Sequence, residues 1–245
     1  SCSMYDDAAL LASSFSTFIS QLNNYSTDWQ IMVVNDDDGC TNSGILTPNV
    51  SGYQSTFGSA VQTGYYLSYT ESLFTPVALA VENTDPGECN AGFLRQNAML
   101  HIIMVSDEPE QSGGSTTHTT FINQLVAKKG NPNNVRVSAI YNPGNHWGRY
   151  ESAANATGGL LFNITDSSWS NSNNLQLIAE ASIIADMYSL DQPAVESTIE
   201  VFVNGYLVQS NWYYDSALEA VVFDSNPPGE GDTIQINYSA LAECD

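Results

Sequence analysis

Ala98-Met99-Leu100-His101-Ile102-Ile103-Met104-Val105, running into Ser106-Asp107-Glu108, is the stretch whose reading decides the fold. Its first eight residues are apolar apart from His101. A continuous apolar run, rather than an alternating one, marks a strand covered on both faces, as in the interior of a parallel sheet. His101 in such a run reads as a core residue with its polar atoms satisfied. On either side, Trp29 to Val34, Val135 to Tyr141 and Leu160 to Ile164 read as further strands. Between them lie helical patterns over 5–24, Glu71–Val81, 117–128, Tyr150–Ala156 and 174–189, while 40–56 reads as polar loop. The first helix carries Leu10, Leu11, Phe15, Phe18, Ile19 and Leu22 at helical spacing.

Strands alternating with helices predict an α/β fold, a doubly wound and mostly parallel sheet with helices on both faces. Such sheets bind ligands at the carboxyl ends of their strands. Two acidic turns, Asn35–Asp38 and Asp107–Glu110, are expected there. At Pro193 the pattern changes to period two: Ile199, Val201, Val203, then Val221 and Phe223, then Ile234, Ile236 and Tyr238. Asn204-Gly205 is a hairpin signal. Residues 1–192 therefore form one domain and 193–245 a small antiparallel β domain.

The 245 residues carry 27 acidic and 5 basic side chains, a net charge of −22. Nucleic acid needs a Lys/Arg footprint that this chain lacks, so it is excluded as a partner. No apolar run approaches the roughly 18 residues that span a bilayer. The four cysteines, Cys2, Cys40, Cys89 and Cys244, form no Cys-x-x-Cys pair, which argues against zinc. In a chain with the look of an exported protein, an even count suggests two disulfides. Cys40 with Cys89 is favoured because both sit in polar loops, which leaves Cys2 with Cys244. The chain is expected to be secreted or at the cell surface.

Ser1-Cys2-Ser3-Met4 precedes the first helix, and the strongest strand ends in Val105-Ser106-Asp107-Glu108. These pieces resemble the metal-ion-dependent adhesion site of von Willebrand factor A domains. Further matches run in order along nearly the whole chain. They include Gly92-Phe93-Leu94-Arg95, then Ala153-Ala154-Asn155-Ala156-Thr157-Gly158-Gly159, and in the tail Val203-Asn204-Gly205 and Trp212-Tyr213-Tyr214-Asp215. Together they are similar to a bacterial exported branch of that family.

The resemblance implies that Ser1, Ser3, Asp107 and a threonine hold Mg²⁺, or else Mn²⁺ or Ca²⁺. Thr70 is the expected threonine, with Ser68 and Thr63 as rivals. Thr70 also fits the N-cap of the helix beginning at Glu71. Mg²⁺ wants six oxygen ligands in a near-octahedral shell. Neutral hydroxyls leave the ion electrophilic, so a partner's acidic side chain completes the shell. The family's aspartate, two residues before Ser1, and its apolar first strand do not occur in these residues. The expectation is a longer natural chain, the alternative a strand donated by another copy.

The expected function is a metal-dependent adhesion or protein-recognition module, and not an enzyme. The alternative is a structural subunit of an extracellular fibre or sheath with a degenerate metal site, meeting copies of itself. The acidic turn Asp36–Asp38 reads as solvated. Asp107, Glu108 and Glu110 imitate a catalytic carboxylate pair, but no nucleophile–base constellation accompanies them.

Overall fold

The computed structural model describes residues 2–24, 28–63, 70–96, 98–183, 187–216, 219–223, 228 and 232–241. The chain divides into two compact units, Ser1–Ile183 and Ile184–Asp245.

Among the described residues the first unit is built on a parallel sheet of three strands in the order β1 (Leu100–Ser106), β2 (Val135–Tyr141), β3 (Leu161–Asn163). Its helices are α1 (Tyr5–Leu22), α2 (Tyr53–Val61), α3 (Phe74–Glu82), α4 (His118–Lys129), α5 (Arg149–Ala156) and α6 (Ser172–Ala181). β1 and β2 pair in register from Leu100 with Val135 to Ser106 with Tyr141. Because side chains alternate along a strand, the two faces of the sheet pack different partners. Leu100, Met104, Val135, Val137 and Ala139 meet Phe74, Phe121, Leu125 and Tyr150 of α3, α4 and α5. Ile103, Val105 and Ile140 meet Met4, Leu10, Trp169, Leu175 and Ile178 on the opposite side. Phe74 stacks on Phe121 with ring centroids 4.4 Å apart. Helices thus cover both faces, and the α/β expectation stands at that level.

Two expectations about the sheet need correction. The Ala98–Val105 run forms β1 but lies at the edge of the sheet among the described residues, not in its interior. Trp29–Val34 does not join the sheet; only Ile31 makes an isolated antiparallel bridge, to Leu46. The cause is local. Val33 N–H donates to the Ser43 hydroxyl and Asn35 N–H to the Asn42 side chain, so side chains occupy the edge that a neighbouring strand would need. Trp29, Ile31 and Val33 instead pack on Phe15, Ile19 and Phe57 of α1 and α2. The Asn35–Asp38 turn therefore does not sit at the end of a sheet strand.

Smaller differences have similar reasons. α2 begins at Tyr53, inside the stretch read as loop. α3 begins at Phe74 rather than Glu71, because the Glu71 side chain bonds to Ser106 and the Phe74 N–H is taken by the Glu110 carboxylate.

The expected Cys40–Cys89 disulfide is present, with Cα atoms 5.7 Å apart. Beside it, Asn90 is fully buried and uses its whole amide. It donates to the Gly39 and Ala80 carbonyls and accepts from Thr41 N–H. Gly39 has φ +72°, and a Cβ there would lie 2.6 Å from the Ala80 nitrogen, so only glycine fits. Cys244 and the side chain of Cys2 lie outside the described residues, and so does their expected pairing.

Among the described residues the second unit holds two three-stranded antiparallel sheets, in the orders β4-β8-β7 and β6-β5-β9. These strands are β4 (Met187–Ser189), β5 (Glu200–Val203), β6 (Tyr206–Val208), β7 (Trp212–Asp215), β8 (Ala220–Phe223) and β9 (Ile234–Asn237). β4 pairs with β8, so this unit reaches back past the change of pattern at Pro193. Asn204 and Gly205, with φ 53° and 82°, make the predicted hairpin between β5 and β6. Ala194, Val201, Val221 and Phe223 form the buried centre of this unit.

His101 lies between two hydroxyls, Ser182 on Nδ1 and Ser138 on Nε2, each at 2.7 Å. Its burial, and then the nearby Arg136, push its pKa down to about 3. The unfolded imidazole protonates near its ordinary value of 6.5, so between those values the unfolded chain binds more protons and stability falls as pH falls. The slope is on the order of 1.4 kcal/mol per pH unit. His101→Gln is expected to flatten denaturation midpoints measured from pH 6 to pH 4 by that amount. A second expectation concerns the bridge. Replacing Cys40 and Cys89 together by serine releases a long loop and should cost about 4 kcal/mol in urea unfolding.

Candidate functional site

The carboxyl end of β1 carries the residues singled out in the sequence. Ser106 closes the strand with its side chain buried, and Asp107 follows half-buried. The 3-10 turn Cys2–Met4 sits against this end. Ser3 Oγ donates to Asp107 Oδ1 at 3.2 Å, across 104 positions of sequence. Asp107 N–H points at the Met4 sulfur, 3.3 Å away. The fold thus brings Ser3 and Asp107 together. Ser1 lies outside the described residues, and so does Ser68.

Thr70 is exposed, and its neighbour Glu71 makes the connection to the strand end. The Ser106 hydroxyl donates to Glu71 Oε2 at 3.0 Å, and Gln111 N–H donates to the Glu71 carbonyl at 2.8 Å. Thr70 does not cap α3, which begins four residues later. Thr63 is engaged in ending α2, its hydroxyl donating to the Ala60 carbonyl at 2.9 Å.

The loop after Asp107 is held by a buried ion pair that the sequence did not reveal. Glu110 is 1% exposed. One of its oxygens accepts from Phe74 N–H at 3.2 Å and Ser112 N–H at 3.0 Å, and the other meets Arg149 at 2.7 Å. The carboxylate lies at the start of α3, where the helix dipole favours negative charge. Arg149 also donates to the carbonyls of Glu110, Ser112 and Thr116, and its guanidinium lies 5.2 Å from the Phe74 ring centre. Tyr150 is buried beside Ser106, and burial raises its hydroxyl pKa. A signal for the pair existed: Arg149 is one of only five cations and stands at a helix start.

Asp7, in the first turn of α1, has its carboxyl raised by burial, then by the charges of Asp107 and Asp6. Negative charge gathers here while the basic side chains are engaged elsewhere. Arg95 pairs with Asp28 and Lys128 with Asp85. Lys129 donates to the carbonyls of Arg95 and Gln96, and Arg136 to that of Ala181. Ser3 and Asp107 are hard oxygen donors, chemistry that suits Mg²⁺, Mn²⁺ or Ca²⁺. Among the described residues no group of three or more His, Cys, Asp or Glu side chains is placed to hold a metal.

The remaining candidates have structural partners. Asp36 accepts from the Asn42 side chain and Asp38 from Cys40 N–H, so that acidic turn is bonded within itself. His146 pairs with Glu151 at 2.5 Å, and His118 opens α4. No helix among the described residues is long and apolar enough to cross a membrane.

No family model matches the sequence, and no curated protein matches it. Among solved structures the chain has the fold of a von Willebrand A-type protein. It is similar to "von Willebrand factor type A from Catenulispora acidiphila", with a TM-score of 0.50 and 13% sequence identity. The match covers 98% of this chain and 60% of that one. At this identity the likeness concerns the fold.

Arg149→Met tests the clamp. It leaves the Glu110 carboxylate buried without its counter-charge, and such losses cost about 3 kcal/mol or more. The expected result is a fall of that size in urea unfolding at neutral pH, with Glu110→Gln on the same background recovering part of it.

Proposed function

We propose that this chain is a recognition module of a secreted or cell-surface protein, working by binding rather than catalysis. Ser3 and Asp107, together with Ser1 and the Thr70 segment, hold a divalent cation, Mg²⁺ in the first instance and Mn²⁺ or Ca²⁺ as substitutes. When bound, the cation supplies an electrophilic position that an acidic side chain of a partner protein completes. The observation that carries this reading is the 3.2 Å hydrogen bond from Ser3 to Asp107 at the strand end, where open α/β sheets bind ligands.

What this chain's own residues do is position and exclude. Met4 covers the Asp107 amide, and Ser3 orients the carboxylate. The Glu110–Arg149 pair fixes the following loop. The disulfide and the von Willebrand A-type fold support an extracellular setting.

A second reading, self-assembly into a fibre or sheath, is favoured by the second unit. β6 and β9, the outer strands of one sheet, carry no charged side chain, and Tyr206 and Leu207 are exposed. Outer strands without charge are open to pairing with another chain.

Calorimetry with Mg²⁺ and Mn²⁺, on the full natural chain and its Asp107→Ala variant, separates the two. Binding that the substitution abolishes is the expected result. No binding by the unaltered protein would end the cation reading and leave the assembly reading.

A further inference from the structure

We infer that the last turn of α6 is an acid-opened joint: neutral His101 ties it to the sheet, and a proton taken up by the ring opens this turn while the sheet stays folded. The chain leaves the first unit through this turn, because the unit ends at Ile183. Two side chains of the sheet hold it. His101 of β1 and Arg136 of β2 are partners in the strand register. Arg136 donates to the Ala181 carbonyl at 2.9 Å, and His101 Nδ1 meets the Ser182 hydroxyl at 2.7 Å.

The hydrogen bonds fix which ring nitrogen carries the proton. Ser138 is 1% exposed, and its hydroxyl has two neighbours, Leu160 N–H at 2.9 Å and His101 Nε2 at 2.7 Å. The first is a donor, so the Ser138 proton finds its acceptor in Nε2. Nδ1 then carries the ring proton and gives it to Ser182, which gives its own to the Ile178 carbonyl at 2.7 Å. The opposite order leaves the Ser138 proton buried without an acceptor, which is costly. A second proton on the ring has the same effect, because Nε2–H displaces the Ser138 proton. Burial, and then Arg136, hold the ring at about 3. An open turn lets it protonate near its ordinary 6.5, so between those values acid favours opening. The two sides of the ring are unlike. Ser138 belongs to β2, the strand between β1 and β3. Ser182 is the half-buried C-cap of α6, and such ends open at low cost. Opening therefore starts at Ser182. Arg136 is the charged neighbour of the ring, and Glu180, in the same turn of α6, accepts from the Gln176 amide at 2.9 Å.

The test is amide hydrogen exchange, read as protection factors from about pH 6 to about pH 4. Ser182 and Ile183 N–H bond to the Ala179 and Glu180 carbonyls and report the turn. Ala139 N–H, bonded to the Leu160 carbonyl, reports the sheet. Protection at Ser182 and Ile183 should fall about tenfold per pH unit, the slope of one proton, and stay below that of Ala139 throughout. In His101→Gln that fall should vanish. Nitrogen NMR of the unaltered protein should find the neutral His101 ring protonated at Nδ1. Any of four results overturns the inference. The ring proton sits on Nε2, or protection in the turn does not change with pH. Protection in the turn equals that of Ala139 at every pH, which means that the ring gains its proton only on global unfolding. Or the fall persists in His101→Gln, which assigns it to Glu180 instead.

Discussion

Arg149 reaches from the start of α5 to the buried carboxylate of Glu110, and the strand-end loop depends on that contact. Without it the loop from Asp107 to Thr117 would be a polar segment with several carbonyls to satisfy. Arg149 takes three of these carbonyls, while Glu110 turns two backbone N–H groups inward. One side chain thereby connects β1, α3 and α5 in the loop that follows Asp107. A planar guanidinium with five donors suits this task; a lysine could not make the same fan of bonds.

The charge imbalance of the whole chain sharpens the point. Every one of the five basic residues has a structural partner, through carboxylates or backbone carbonyls. Most of the carboxylates therefore remain on a surface with no cation of the protein's own to balance them. Such a surface repels acidic partners at long range. An acidic ligand would reach it only where a bound cation reverses the local sign, which makes metal loading a condition of recognition under the cation reading.

Much of the first unit was legible because burial writes itself into apolar periodicity. β2 matches its predicted limits, and α4 and α5 shift by a residue. Cys40 and Cys89 were paired correctly from their polar loops. Trp29–Val34 misled because an apolar run does not say whether backbone or side chains will take its N–H groups, and here Ser43 and Asn42 do. At the site, Asp107 and Ser3 were visible as a pattern, and their contact needed the fold. Glu71 and Glu110 were hidden for a physical reason. Among 27 acidic residues nothing in composition marks the two whose desolvation is offset by partners over 30 positions away.

The Cys40–Cys89 bridge has a consequence of a different kind if the chain works between surfaces. The bridge joins residues 49 positions apart whose Cα atoms lie 5.7 Å from each other. A pull on the two ends passes through the sulfurs and bypasses α2 and α3. Roughly 160 Å of contour length is thereby withheld from extension. Under tension the first unit would yield a shorter tether while oxidised than while reduced, so the redox state of its surroundings would set how far it can stretch.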